Sequence, residues 1–282
     1  MNKYYYYTIF LVLVLVISAC SSQTRTDEET EPAETEEKAQ SDQQTEQASE
    51  PKPVDWAYEG ETGPKHWGDL SNNFAACEEG DKQSPVNIKF SEVEGGQNLP
   101  EVQFHYEQTT PSVINNGHSI QFNLPAEESH FITMDGTKYE LNQFHFHTPS
   151  EHQFNGENLP MEMHLVHQNA NDELAVITLM IKEGTENKEL SSIWGELPTK
   201  KMEKDIKMKE SIELMELIPE SSSTFYYSGS LTTPPCSESV KWIVFEKPIE
   251  MSEEQIEEFK QIFPNNNRPI QSLNKREVIK NE

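Results

Sequence analysis

The chain has 282 residues, enough for one large domain or two small ones, so length alone does not decide its organisation. It carries 49 acidic residues against 22 basic ones, a formal net charge of −27. A surface this acidic repels nucleic acid and anionic lipid headgroups, which argues against both as direct partners and leaves the fold open.

The first 19 residues carry one early lysine, Lys3, then an apolar run over 9–17 and the small pair Ser18-Ala19. That is the layout of a secretory signal peptide; a short transmembrane anchor is the other reading, although the run is brief for a bilayer span. Ile17-Ser18-Ala19-Cys20 resembles a bacterial lipoprotein cleavage box. The resemblance implies that Cys20 becomes the lipidated first residue of an exported chain. The lipid then holds the chain to the outer face of the cell membrane, or to the periplasmic face or outer membrane of a diderm. Membrane contact is expected through that lipid only. Residues 20–53 follow as an acidic tether of Glu, Thr, Gln, Ser and Ala with almost no large apolar side chain. Such a segment cannot bury enough surface to offset its ordering entropy, and is expected to be disordered with a reach on the order of 30 Å. The only cysteines are Cys20, Cys77 and Cys236. With lipid on Cys20 the other two can pair in an oxidising compartment, the alternative being two buried free thiols.

Residues 54–282 read as one globular domain without repeat or linker. Alternating or β-rich runs recur over 102–106, 119–124, 139–147, 161–167, 174–181, 225–228 and 240–245, with turn residues such as Asn115-Asn116-Gly117 and Asp135-Gly136 between them. Helical patterns are few: 188–194, 206–217 and 252–262, the last opening on Ser252 with acidic residues in its first turn. The strands do not alternate with helices, which disfavours a doubly wound parallel fold. A mainly β single domain with a few peripheral helices is expected.

Two segments carry metal chemistry. In Gln143-Phe144-His145-Phe146-His147 a strand projects both imidazoles from one face and both phenylalanines from the other. In Glu162-Met163-His164-Leu165-Val166-His167, the residues Glu162, His164 and Val166 share a face. If the two strands are neighbours, His145, His147 and His164 form a three-imidazole site with one open position, the ligand set of a catalytic zinc. Gln143 and Glu162, each two residues before a ligand, are placed to satisfy the second nitrogen of a ligating ring.

The segments HFHTPSEH, MEMHLVH, INNGHSIQF, QSPVNI and LTTPPCSE resemble those of an alpha-class carbonic anhydrase. They occur in order and at matching spacings, and GPKHW, LAVI, VKWIVF and NNRPIQ extend the likeness over nearly the whole chain from Trp56. The resemblance implies a large, twisted, mostly antiparallel central β-sheet. It implies zinc-dependent, reversible hydration of carbon dioxide to bicarbonate and a proton, with Zn2+ on His145, His147 and His164. Thr232 is then expected to orient the nucleophile while donating to Glu151. Val166, Val176, Leu231, Val240 and Trp242 would form the wall for carbon dioxide, with Thr233 beside substrate and bicarbonate. His118 falls at the proton-shuttle position, and Tyr58, Asn116 and Gln121 at the water path. A Cys77–Cys236 bridge and cis bonds at Ser84-Pro85 and Pro234-Pro235 are implied as well. His66, His105, His130, His152 and His167 receive no role. The rival reading is a noncatalytic zinc-bearing cell-surface binding module of the same fold.

Overall fold

A computed structural model describes residues 54–96, 99–220 and 222–281. The expectations for the leader, Cys20 and the tether lie outside the described residues. No helix among those described is long and apolar enough to cross a membrane.

Seven strands build the platform of interest: β1 Ser112–Asn115, β2 Ile120–Asn123, β3 Thr137–His147, β4 Met161–Gln168, β5 Leu174–Glu183, β6 Thr224–Ser230 and β7 Glu238–Phe245. They lie in the order β1-β2-β3-β4-β5-β7-β6 within a sheet of 13 described strands. Neighbours along that run are antiparallel except β5 and β7, which are parallel. The expected strands are all present, 102–106 as Val102–His105; that one and β2 are shorter than expected, the other five are longer by one or two residues at an end, and β1 was not expected.

The alternation of β3 sorts its side chains onto two faces, and the face they choose follows from chemistry. Phe144 and Phe146 are fully buried on one side, where Phe122 of β2 stacks on Phe144 at 4.7 Å between ring centroids. Two helices close this side: α1 Lys188–Trp194 and α2 Glu253–Ile262. Trp194 and Phe259 approach Phe146 edge-on or tilted, at 5.0 and 6.0 Å. Burying such rings contributes about 1.5–3 kcal/mol each, so the phenylalanines fix which face turns inward and the histidines take the other. Helix α2 begins where the sequence says it should. Ser252 accepts from the Gln255 backbone N–H, and the Gln255 side chain accepts in return from that of Ser252, a reciprocal cap.

On the opposite face a second apolar cluster holds Val176, Tyr227, Val240, Trp242 and Val244. A third, smaller cluster gathers Trp67 with Cys77 and Cys236, and Trp56 and Tyr58 pack against it. Cys77 and Cys236 form a disulfide across a sequence separation of 159 residues. That bridge is the mark of a protein matured in an oxidising compartment outside the cytoplasm. Cis bonds occur at Ser84-Pro85 and Pro234-Pro235, and also at Thr148-Pro149, which the sequence reading did not anticipate.

One expectation fails. Residues 206–217 do not form a helix. Ile206–Lys207 pairs with Ser112–Val113 of β1, Ile212–Glu213 pairs with Gln108–Thr109, and a short 3-10 turn covers Leu214–Leu217. Ile212, Leu214 and Leu217 are buried in the core beside α1. The unpaired backbone at those strand edges offers ladder bonds as well as burial, and this tertiary gain outweighs helix propensity.

Candidate active site

The antiparallel register of β3 and β4 sets His164 directly opposite His145, and Glu162 opposite His147. The three histidines therefore converge from two adjacent strands, each offering a ring nitrogen within 4.8 Å of the others. His147 and His164 are almost fully buried and His145 is half-buried.

Hydrogen bonds determine which nitrogens remain available. His145 Nδ1 donates to Gln143 Oε1 at 2.8 Å, His147 Nδ1 to the Asn266 carbonyl at 2.6 Å, and His164 Nε2 to Glu162 Oε1 at 2.6 Å. By elimination His145 Nε2, His147 Nε2 and His164 Nδ1 are left to face the centre. His147 Nε2 is buried with no hydrogen-bond partner, a condition that ordinarily costs stability. Burial pushes the His145 imidazole well below its usual pKa, helped by His147 and His164, and burial lowers His147 likewise. Three neutral rings with converging lone pairs suit a divalent, borderline-soft cation, and zinc fits this donor set.

Glu162 is the anchor behind the ligands. Its Oε1 accepts from both His164 and His152 at 2.6 Å, and its Oε2 accepts from the backbone N–H groups of Glu151 and His152 at 2.7 and 2.8 Å. Burial alone would raise the Glu162 pKa, yet the two imidazoles drive it well below the carboxylate range. His152, left without a role by the sequence, extends the chain outward: its Nε2 lies 2.6 Å from the Tyr227 hydroxyl oxygen, and that hydroxyl donates to Ser84 Oγ at 2.9 Å. The other missed partner is Asn266. Its carbonyl orients His147, its Oδ1 takes the Thr148 N–H, and its amide reaches the carbonyls of Phe146 and His118. A backbone acceptor leaves no side-chain signature, so only the NNRPIQ motif pointed there.

A cavity of about 160 Å³ opens over the histidines. Val166, Val176, Leu231 and Trp242 form its apolar wall, and Thr232, Thr233, Tyr58, Asn116, His118, Gln121 and Gln143 its polar side. Val240, two residues before Trp242 on the same strand, is buried in one cluster with Val176 and Trp242. Glu151 is fully buried; its Oε1 accepts from the Arg268 backbone N–H at 2.8 Å, and its Oε2 lies 3.5 Å from His147 Nε2 without a donor. The structure therefore does not join Thr232 to Glu151 by a hydrogen bond.

His118 sits on the Asn116-Gly117 turn. Asn116 Oδ1 accepts the N–H groups of His118 and Ser119, and Gly117 adopts φ +90°, which a side chain would strain. The His118 ring stacks on Trp56 at 3.7 Å, nearly parallel. Burial lowers its pKa below 6.5, Lys201 pushes the same way, and Asp55 opposes them.

The family model described as eukaryotic-type carbonic anhydrase matches residues 62–282, and the chain belongs to this family of enzymes. It is 42% identical over 225 residues to a carbonic anhydrase of Klebsiella pneumoniae, covering 79% of this chain and 90% of the relative. A carbonic anhydrase of Nostoc sp. is 42% identical over 236 residues, 81% of this chain and 86% of the relative. Among solved structures, the alpha-carbonic anhydrase of Thermovibrio ammonificans, in complex with the inhibitor sulfanilamide, superposes with a TM-score of 0.77. That match has 41% identity over 80% of this chain and 99% of the other.

Proposed function

We propose that the chain catalyses the reversible hydration of carbon dioxide to bicarbonate and a proton, as a zinc enzyme with His145, His147 and His164 as ligands. The observation that carries this reading is the convergence of three ring nitrogens, each fixed by a bond at its other nitrogen, beneath a half-apolar cavity. Zinc in a three-histidine site supplies Lewis acidity and makes hydroxide available as a nucleophile at neutral pH.

The residues of the chain do the rest. Gln143, the Asn266 carbonyl and Glu162 hold the ligand rings in one orientation each. Carbon dioxide has no hydrogen to donate and no net dipole, so Val166, Val176, Leu231 and Trp242 can receive it without leaving a polar group unpaired. Thr232 accepts from the nucleophile and donates its own hydroxyl proton to Glu151. The acceptor-only Glu151 carboxylate has one oxygen still lacking a donor, which supports this assignment. Forced to donate to Glu151, the hydroxyl can only accept from the nucleophile, so the attacking lone pair points at carbon. Thr233 lines the same cavity, which supports a role for it beside the product bicarbonate.

Each turnover releases one proton, and His118 is the group suited to carry it out. Imidazole is the side chain suited to take up and release a proton each cycle, and this ring lines the cavity and borders Tyr58, Asn116 and Gln121, which would order water between the centre and His118. Val240 packs in one cluster with Val176 and Trp242, which supports its place in the same apolar wall. The chain is further read as an exported lipoprotein, tied to its membrane by lipid on Cys20; mass analysis of the mature N-terminus would test this. For the catalytic reading, His118→Ala should slow turnover in weak buffer, and added imidazole should restore it. Unchanged turnover under those conditions would remove His118 from the proton route.

A further inference from the structure

Thr232 and Glu151 must be held in register, yet they come from distant parts of the chain and no direct bond joins them in the structure. A buried pair outside the cavity spans the gap. Arg268 is 1% exposed and Gln83 3% exposed. The Arg268 backbone N–H holds Glu151, while its guanidinium Nη1 donates to Gln83 Oε1 at 2.8 Å. Gln83 Nε2 in turn donates to the Cys236 carbonyl at 3.1 Å. On the other shoulder of the same turn, the N–H of Ser84 donates to Ser230 Oγ at 2.9 Å. Residues 83–84 thus grip the Thr232 turn before and after it, since Cys236 N–H closes that turn onto the Thr233 carbonyl. Arg268 also donates to the carbonyls of Ser84 and Cys77, so both cysteine segments are moored to it.

We propose that the Gln83–Arg268 pair is a positioning bridge that sets Glu151 against the Thr232 turn, and so fixes the direction in which the Thr232 hydroxyl points. A positive side chain buried without a hydrogen-bonded carboxylate is costly, and three acceptors, on Cys77 and on the adjacent Gln83 and Ser84, are what this one obtains in return. Neither residue lines the cavity. The bridge therefore acts on orientation rather than on binding, and it rests on the catalytic reading given above.

The test uses the full chain with Gln83→Met, Arg268→Lys and both together, assayed in concentrated buffer so that proton removal is not limiting. In folded variants that retain one zinc per chain, kcat falls about tenfold while KM stays within about twofold, the size expected of a sub-ångström misorientation. The double variant falls by about the same tenfold, not a hundredfold, because either change breaks one shared link. Amide exchange over 231–237 quickens in each. An unchanged kcat in a folded, zinc-loaded variant, or losses that multiply in the double, would overturn the bridge. Should Arg268→Lys fail to fold, Gln83→Met decides alone by kcat and by exchange over 231–237. A wild-type chain that holds zinc and hydrates nothing would instead strike the catalytic reading, and the exchange result would still judge the bridge.

Discussion

His145 illustrates how much a single side chain depends on its neighbours. Its ring is fixed at Nδ1 by Gln143, two residues earlier on the same strand face, and lies opposite His164. We expect His145→Ala to lose both bound zinc and hydration activity while the fold survives, as metal analysis and circular dichroism would show. Full zinc content in that variant would remove His145 from the ligand set. The His118 ring poses a different question, since burial and Lys201 both lower its pKa and Asp55 raises it. Its titration, followed by imidazole NMR, should have a midpoint below 6.5, and Lys201→Met should move that midpoint upward; no movement would mean that Lys201 exerts no field there. These residues were legible because their chemistry is written in short motifs whose period is that of a strand. Asn266 and His152 were harder to read. One acts through a backbone carbonyl, and the other differs from an ordinary buried histidine only in its distance to Glu162 and Tyr227.

The period-2 alternation of β3 is the strongest signal in the chain, because one face is aromatic and the other ligating. Phe144→Ala should therefore cost about 3–5 kcal/mol of unfolding free energy, as a cavity in the aromatic layer, while leaving zinc stoichiometry at one. A matched loss of zinc would show that the two faces are not mechanically separate. The segment 206–217 taught the reverse lesson. Its apolar residues recur at helical spacing, but what they bury against is a sheet edge and the flank of α1, and propensity yields to those partners. Such a partner is remote in sequence and cannot be inferred from a local window.

At the scale of the whole molecule, the disulfide and the buried histidines set the limits of stability. The Cys77–Cys236 bridge closes a long loop, so replacing both cysteines by serine should lower stability by about 2–5 kcal/mol in denaturant titrations. No measurable loss would mean that the unfolded chain is already constrained. Acid should act through histidine. His167, buried against Tyr106 at 2.7 Å, is lowered by burial to a pKa of about 3. An unfolded histidine binds its proton near pH 6.5. Between those two values the unfolded chain holds more protons, so stability falls as pH falls, by about 1.4 kcal/mol per pH unit for this group. Urea midpoints measured from pH 6.5 downward should decline across that window; a flat profile would contradict the burial of a neutral His167. The central claim is most directly tested by metal analysis of the purified chain coupled to a carbon dioxide hydration assay before and after chelation. One zinc per chain, hydration that disappears with the metal and returns on its replacement, is the expected result. A folded chain with a full complement of zinc and no hydration would contradict it.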